Sequence, residues 1–191
     1  MAILLPGDDC KGFNPVIIPR PTRAISAFGT GRRRFYRLGR HWQFTVMLRK
    51  IPDHRVEDWL DLERDDDEHL WPIPQGFSTA GAGTPRVNGG GQLGMTLNTD
   101  GWTAGYTIAK GRWLPVITGA RRYLYRTRAA VTASGAGVAA LPLSLPLRVA
   151  PANDDLIEAD APKIEGLVDF EGFKITQGFA APTSFIITEQ G

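Results

Sequence analysis

The sequence predicts a mainly β protein with one short inserted α-helix. Two observations support this prediction: alternation with a period of two recurs at strand length, and 22 Gly with 14 Pro supply turns between short strands. The stretch from Gly101 to Pro151 shows both features. Within it, Arg112–Thr118 and Arg121–Thr132 are predicted strands joined by a turn at Gly119-Ala120, and Ser134-Gly135-Ala136-Gly137 is the next predicted turn.

Size and composition limit the class of protein. With 191 residues, 42% of them hydrophobic, the chain can bury one sizeable core, and we interpret residues 1–191 as a single β-rich domain. Cys10 is the one cysteine, which excludes an intramolecular disulfide and favours folding in a reducing cytosol. The N-terminal segment lacks the basic region of a signal peptide, and no apolar stretch has the length that spans a bilayer.

The N-terminal part predicts an arm, a hairpin and a strand. Prolines punctuate residues 1–22, so we expect an arm or an edge strand there. Thr22–Phe28 and Arg33–Leu38 flank Gly29-Thr30-Gly31 and form a predicted hairpin. His41–Lys50 is the clearest amphipathic strand of this half, because large apolar residues occupy one parity. Those residues are Trp42, Phe44, Val46 and Leu48.

A helix is predicted over about residues 54–66. Asp53 is a suitable N-cap, and Glu57 and Asp58 lie in the first turn, where the helix dipole favours anions. Apolar residues at helical spacing form a short buried stripe, which consists of Val56, Trp59 and Leu60.

The rest of the chain predicts extended segments. Leu70–Pro74 is extended, residues 76–91 form a Gly-rich surface loop, and the β core covers residues 92–151. Within that core, Gln92–Asn98 is a predicted strand that ends in a turn at Asn98-Thr99-Asp100-Gly101. C-terminal strands cover residues 163–189, with a two-residue turn at Glu171-Gly172 between the first two. These strands are Lys163–Phe170, Lys174–Phe179 and Thr183–Glu189.

The core of the protein is predicted from large side chains at strand or helix spacing. We expect it to contain Trp42, Phe44, Val46, Trp59, Leu60, Trp113, Val116, Tyr123, Tyr125, Val131 and Leu145.

No motif predicts catalysis, a cofactor or a metal site. The acidic run Glu57–Glu68 lacks the ligand spacing and the turn glycine of a calcium loop, so a solvated helix end is the favoured interpretation. His41, His54 and His69 form no zinc-binding spacing. No serine lies in a nucleophile elbow, and Gly89–Gly94 lacks the strand-then-helix context of a dinucleotide loop. The protein is therefore predicted not to be an enzyme.

Charge is segregated along the chain, although the formal net charge is only +2. Residues 10–52 carry ten Lys and Arg and no acid, whereas residues 57–68 carry eight acids and one Arg. This segregation predicts a basic and an acidic interface surface that meet in an assembly. The basic residues are Arg32, Arg33, Arg34, Arg37 and Arg40; the acidic ones are Glu57, Asp58, Asp61, Asp65, Asp66, Asp67, Asp154 and Asp155.

Two alternatives for the basic residues remain open. Arginines interleaved with Phe35, Tyr36 and Trp42 have the composition of a single-strand-binding surface, which would make the protein a β-barrel nucleic-acid-binding module. Alternatively, the basic hairpin pairs within its own chain with the acidic run that follows it.

Several segments in their order resemble the distal tail proteins of long-tailed bacteriophages. The matching features are a Gly-Trp turn at Gly101-Trp102, a strand start at Gly111-Arg112-Trp113, the Leu124-Tyr125 strand and the closing Leu145-Pro146-Leu147-Arg148. The last strand, Ser184–Glu189, is similar to the final strand of many tail proteins. Where that family usually has Asp after the glycine, this chain has Arg112.

The resemblance implies a structural virion protein located in the tail and assembled in the cytoplasm of the bacterial host. It implies a β-barrel or sandwich related to tail tube proteins, and a hexameric ring between the tube and the tip or baseplate. The implied partners are further copies of the chain, the tail tube protein, the tail-tip hub protein and the tape-measure protein. It implies no membrane partner, and nucleic acid only as DNA that passes through the lumen. Another tail component, tube-related or tail-completion, is the alternative within this class.

Overall fold

A computed structural model describes residues 3–18, 21–25, 32–36, 39–56, 59, 68–76, 80–170, 172, 175–176, 179–180 and 183–190. The protein is mainly β, as predicted. Its ladders are antiparallel apart from one short parallel pair, and no sheet formed by the described residues closes into a barrel. Glycine and proline between short apolar segments account for the many short strands.

The strands are numbered in chain order. The first nine are β1 (Ile3–Leu4), β2 (Cys10–Ile18), β3 (Pro21–Ile25), β4 (Arg32–Tyr36), β5 (His41–Leu48), β6 (Ile51–Pro52), β7 (His69–Pro72), β8 (Gly83–Val87) and β9 (Thr96–Trp102). The others are β10 (Thr107–Ile108), β11 (Trp113–Thr118), β12 (Arg121–Arg126), β13 (Val131–Thr132), β14 (Ala139–Pro142), β15 (Lys163–Phe170), β16 (Ile175–Thr176), β17 (Phe179–Ala180) and β18 (Ser184–Glu189).

The largest sheet has six strands in the order β1-β7-β15-β18-β5-β2. This sheet combines strands from the N-terminal and the C-terminal parts of the chain. The C-terminal strand β18 pairs with the N-terminal strand β5 on one side and with β15 on the other. The prediction of an edge strand within residues 1–22 is confirmed, since β2 lies at one edge of this sheet. One face covers a buried cluster, here called the first core. Its members include Trp42, Phe44, Val46, Trp59, Trp71, Trp113, Leu124, Leu145, Ile164, Phe185 and Ile187.

A second buried cluster lies among the short sheets of the middle of the chain. β9 is the central strand of the sheet β14-β9-β8, and β10 pairs with β13. This second core consists mainly of Val87, Leu97, Trp102, Ile108, Leu114, Val116, Tyr125, Leu141, Leu143, Leu147 and Ile157.

The hairpin β11–β12 belongs to both cores. Trp113 and Leu124 are members of the first core, whereas Leu114 and Tyr125 are members of the second. Successive residues of a strand point to opposite faces, so a hairpin with both faces covered loses the polar alternation of a surface strand. The predicted turn at Gly119-Ala120 is confirmed, and both residues have positive φ, 58° and 67°. That geometry fits a type I′ turn.

The structure confirms the three predicted strands of the N-terminal part, while the predicted turn Gly29-Thr30-Gly31 lies outside the described residues. β3 and β4 form an antiparallel pair on either side of the expected turn. β5 buries one parity, with Trp42, Phe44, Val46 and Leu48 directed into the first core. Of the predicted helix at about 54–66, the described part comprises the 3₁₀ turn Asp53–Arg55 and helical Val56 and Trp59; the other residues lie outside the described set.

The prediction of a Gly-rich surface loop over residues 76–91 is wrong for residues 83–87, and residues 77–79 lie outside the described set. Gly83–Val87 forms β8, which pairs with β9. The predicted turn at Asn98–Gly101 is also wrong, because these residues lie inside β9. Gly101 has φ +73°, and a Cβ there would overlap the carbonyl oxygen of Thr84, next to a register shift between β8 and β9. The positive φ of Gly101 therefore belongs to a β-bulge and not to a turn.

Three further predictions of strand pairing need correction. Arg121–Thr132 is not one strand: it divides into β12 and β13, which belong to different sheets. Lys174–Phe179 is not one strand either: it contains β16 and the first residue of β17, and these two strands pair with each other. The hairpin expected around Glu171-Gly172 is absent from the described pairings, since β15 pairs with β18 and β7. Side-chain alternation predicts strands but does not choose their partners.

Most of the predicted core is confirmed. Trp42, Phe44, Val46, Trp59, Trp113, Val116, Tyr125 and Leu145 are buried. Tyr123 and Val131 are partly buried against the second core, and Leu60 lies outside the described residues.

Candidate interaction surfaces

The predicted basic surface is built on a two-stranded ribbon, β3–β4. Arg32, Arg33 and Arg34 open β4, and the register places Arg34 directly opposite Arg23. The two strands together carry Arg23, Arg32, Arg33 and Arg34 and no acid, and so many like charges on one short ribbon repel one another. Arg40 follows the ribbon and is half-buried, whereas Arg37 lies outside the described residues.

The predicted acidic surface is only partly described. Glu57, Asp58, Asp61, Asp65, Asp66 and Asp67 lie outside the described residues. Glu68, at the end of the same run, forms an ion pair with Arg121 at 3.3 Å. The structure therefore neither brings these acids to the ribbon nor separates them from it.

Asp154 and Asp155 make contacts within their own chain. Asp155 accepts hydrogen bonds from the Thr118 hydroxyl at 2.6 Å and from the backbone amide of Ala152 at 2.8 Å. Asp154 lies 3.5 Å from the Arg86 guanidinium, which also contacts Asp100 at 3.1 Å. Their assignment to an interface remains a prediction, and these contacts would have to coexist with it.

A charged network that the sequence did not predict covers one side of β12. The Arg122 guanidinium donates to both carboxylate oxygens of Glu158, at 2.9 and 3.1 Å, and to Glu165 at 3.3 Å. Hydrogen bonds to Glu158 raise the pKa of Arg122 above its ordinary value. Lys163 lies 3.5 Å from Glu158. The network ties β12 to β15 and to the segment before it, so its charges are structural.

A buried node connects the large sheet to β12. The Glu189 carboxylate accepts hydrogen bonds from the backbone amides of Trp42 at 3.0 Å and Leu124 at 2.6 Å, and it forms an ion pair with Arg148. Burial raises the pKa of Glu189, while Arg148 and the two amides act in the opposite direction. The Arg148 guanidinium also lies over the rings of Tyr123 and Tyr125, at 5.4 and 5.8 Å.

Sequence reasoning could have found this node, because Glu189 breaks a pattern. It occupies the same parity of β18 as Phe185 and Ile187, both of which are buried in the first core. An acidic residue on the buried, apolar face of a strand needs a cation or several hydrogen-bond donors, since an unpaired buried charge is strongly unfavourable.

A basic cleft opens at the end of β12. It has a volume of about 360 Å³ and is lined by Lys110, Gly111, Arg126, Thr127, Arg128 and Ser144. No acid is among these lining residues. The sequence did not predict the cleft, because its walls come from three separate stretches of the chain.

Arg112, which follows Gly111, has a buried side chain. It donates to the Tyr106 hydroxyl at 2.5 Å and to the carbonyl of Ala159 at 3.0 Å. Its guanidinium lies 5.9 Å from the centroid of the Trp102 ring and 5.3 Å from that of Tyr106. The position therefore supports the second core, and it offers no charge to a partner.

We call the face of the large sheet that points away from the first core the outer sheet face. Its β5 and β18 positions carry no Lys, Arg, Asp or Glu, whereas β15 places Lys163, Glu165 and Asp169 on the same parity as Leu167. The strand registers align Val16, Gln43, Thr188 and Leu167 in one row across four strands. Val16, Leu167 and Met47 are 44%, 43% and 47% exposed. Depletion of charge with exposed apolar side chains is typical of the centre of a protein–protein interface.

Among the described residues, no group of three or more His, Cys, Asp and Glu is arranged to hold a metal ion. Nor does that part of the chain contain a helix with the length and apolar character needed to cross a membrane. No protein-family model matches this sequence, and no curated protein matches it.

Proposed function

We propose that this protein is a structural virion protein, the distal tail ring that connects the tail tube to the tip or baseplate of a long-tailed phage. The ring is a hexamer of this chain, with the tube protein and the tip hub protein on its two sides and the tape-measure protein as a further contact. The β-rich fold supports the proposal, as a sandwich-like relative of tail tube proteins would be built from antiparallel sheets.

The observation that carries the proposal is the register of the basic ribbon. Arg23 lies opposite Arg34, and Arg32 opens the same strand as Arg34. Like charges in register destabilise a two-stranded ribbon, which is marginal by itself in water. An acidic surface against the ribbon would offset that repulsion. In a ring, a neighbouring subunit or the tube can supply such a surface.

The outer sheet face supports assembly independently of charge. Its central strands β5 and β18 carry no Lys, Arg, Asp or Glu on this face, and the side chains of Val16, Met47 and Leu167 are exposed on it. Contact with another protein would bury these apolar groups. A ring subunit needs two different contact surfaces because head-to-tail contacts are heterologous. The ribbon and the outer sheet face are two such surfaces.

The ribbon also supports a second candidate function, a nucleic-acid-binding module. Arg32, Arg33 and Arg34 precede Phe35 and Tyr36 in one strand, and arginines with aromatic residues bind single strands by charge and stacking. The same observation serves both candidates, so an experiment must separate them.

Light scattering coupled to size exclusion tests the ring. We expect the purified protein to form a discrete oligomer at low salt, with ring-shaped particles in negative-stain electron microscopy. Assembly should weaken at high salt, because the Debye length falls to about 3 Å at 1 M. A protein that stays monomeric and binds single-stranded DNA with a steep salt dependence would instead establish the second candidate.

A further inference from the structure

We infer that the basic cleft at the end of β12 is a docking site for the acidic run of a second copy of this chain. The run is residues 60–68, LDLERDDDE, which carries six acids and one Arg. This inference rests on the proposed self-assembly and names the surfaces that would make the contact. Six residues line this cleft, and three of them are cations: Lys110, Arg126 and Arg128.

Backbone hydrogen bonds hold the walls of the cleft in place. The amide of Gly111 donates to Thr127 at 3.0 Å, and the amide of Ser144 donates to Arg126 at 2.8 Å. The Thr127 hydroxyl donates to the carbonyl of Ala109 at 2.7 Å and accepts from the amide of Arg112 at 2.9 Å. Three stretches of chain are thus fixed relative to one another. A preorganised site loses little conformational entropy on binding.

Arg126 is oriented within the cleft by two contacts. Its Nε donates to the carbonyl of Gly111 at 3.1 Å, and its guanidinium lies 4.8 Å from the centroid of the Trp113 ring. Gly111 has φ +83°, and a Cβ at that position would lie 3.2 Å from Arg126 Nη2, so the glycine leaves room for the guanidinium. Both contacts leave the Nη groups of Arg126 without a hydrogen bond to the described residues. A fixed guanidinium with free Nη groups suits a carboxylate.

Lys110 and Arg128 add two exposed cations to the rim. Neither side chain forms an ion pair with any residue that the structure describes. Three cations in one cleft without an acid repel one another, and an anionic ligand would relieve this repulsion. The chemistry therefore selects a ligand with several negative charges.

Two observations favour a carboxylate-rich segment over nucleic acid. The lining contains no aromatic residue on which a base could stack, and Trp113 is buried beneath Arg126. The acidic run itself supplies the carboxylates at high density.

Geometry favours the run of a neighbour over that of the same chain. Glu68 is paired with Arg121 at the beginning of β12, whereas Arg126 is its last residue. These two positions are five residue steps apart, about 16 Å along a strand. One end of the chain's own run is therefore held away from the cleft.

The test is binding of a fluorescent peptide of residues 60–68 to the full chain, followed by anisotropy. The cleft variant carries Lys110→Gln and Arg128→Gln, two exposed positions whose change leaves Arg126 and its packing intact. We expect this variant to bind the peptide roughly tenfold more weakly, since hydrogen bonds to charged groups are individually strong. A peptide with Asp65→Asn, Asp66→Asn and Asp67→Asn should bind weakly to both proteins.

Two control variants show whether the cleft itself is responsible. Lys11→Gln with Arg49→Gln removes the same charge from exposed positions elsewhere and should leave binding unchanged. Arg33→Glu with Arg34→Glu tests the basic ribbon as the competing acceptor. Loss of peptide binding in the ribbon variant but not in the cleft variant would overturn the inference. So would equal weakening by the cleft variant and the Lys11/Arg49 control, or binding of an oligonucleotide in place of the peptide.

The same experiment distinguishes failure of this inference from failure of the proposed ring. If rings form and the cleft variant assembles normally, the docking site is wrong while the ring proposal stands. If no ring forms but the peptide binds through Lys110 and Arg128, the docking site stands as a self-association contact outside a tail. Melting temperatures of all variants confirm that each chain is folded.

Discussion

Glu189 and Arg148 form a buried ion pair that joins the last strand of the large sheet to the segment after β14. The Glu189 carboxylate also accepts hydrogen bonds from the backbone amides of Trp42 and Leu124, which lie in different sheets. Three donors from three parts of the chain thus converge on one side chain. The pair therefore fixes how the β11–β12 hairpin sits on the first core.

Replacing Arg148 with Met should destabilise the protein by about 3–5 kcal/mol near neutral pH, because Glu189 is left buried without its cation. Burial raises the pKa of Glu189 above its ordinary 4.5, and Arg148 acts against this rise, so the variant should raise that pKa further. A carboxyl with a raised folded-state pKa stabilises the fold below the unfolded-state pKa and loses this contribution as pH rises through the folded-state pKa. The difference in unfolding free energy between wild type and variant should therefore grow as the pH rises above the ordinary pKa of a glutamate.

Chemical denaturation at several pH values measures this difference. The control is Arg148→Met combined with Glu189→Gln, which has no titrating carboxyl at the node. Its deficit relative to the single variant Glu189→Gln should be independent of pH. A deficit of the Arg148→Met variant that is constant over the same range would show that Glu189 does not titrate as argued.

Trp59 is the second site at which stability can be tested. It is fully buried, and its ring contacts Phe170 and Phe185 with centroids 5.8 and 5.7 Å away. Its Nε1 donates to Asp9 at 3.2 Å. Trp59→Ala should cost about 3–5 kcal/mol of unfolding free energy. Trp59→Phe keeps most of the packing and loses the hydrogen bond, so it should cost clearly less. A loss below about 1 kcal/mol for Trp59→Ala would mean that the site collapses without a cavity.

Much of the fold follows from the sequence where a strand buries one face. The alternation over β5 predicts both the strand and its buried residues. For β11–β12 the alternation does not predict which residues are buried, because both faces of the hairpin are covered. Among the polar residues of β12, Arg122 forms ion pairs and Arg126 covers Trp113. Gly101 marks a bulge in β9, a role that local sequence does not distinguish from a turn.

Of the two basic surfaces, the sequence predicts the ribbon but not the cleft. The basic ribbon is contiguous in sequence, so composition predicts it. The basic cleft unites Lys110, Arg126 and Ser144 from three stretches, and only the pairing of β12 with its neighbours brings them together. No local signal in the sequence marks such a site.

Cys10 offers a chemical test of local environment. Burial raises the pKa of its thiol, the hydrogen bond from Trp71 Nε1 at 3.2 Å lowers it, and Asp9 raises it. Because the thiolate is the reactive species, we expect Cys10 to react with a thiol reagent at pH 8 severalfold more slowly than in the unfolded chain. Arg49 lowers this pKa, so Arg49→Gln should slow the reaction further. A native rate equal to that of the unfolded chain would contradict the raised pKa.

Reversal of charge in the basic ribbon is the direct test of assembly. Arg33→Glu with Arg34→Glu replaces two positive charges with negative ones next to Arg23 and Arg32. If the ribbon meets an acidic surface of a neighbour or of the tube, the reversal adds repulsion at the contact, and assembly should be lost. The free energy of unfolding of the subunit should change little, since the reversal lowers the excess of positive charge on the two strands.

Light scattering at low and high salt reports assembly, and thermal unfolding reports the fold. The matched control is Lys11→Glu with Arg49→Glu, which makes the same change in net charge at exposed positions away from the ribbon. If acids of the same chain neutralise the ribbon, the reversal should instead lower the melting temperature and leave any oligomer that forms unchanged. If the reversed variant assembles normally and is equally stable, the ribbon is a solvated surface. The contacts of the ring would then have to be sought on the outer sheet face, where Val16, Met47 and Leu167 are exposed.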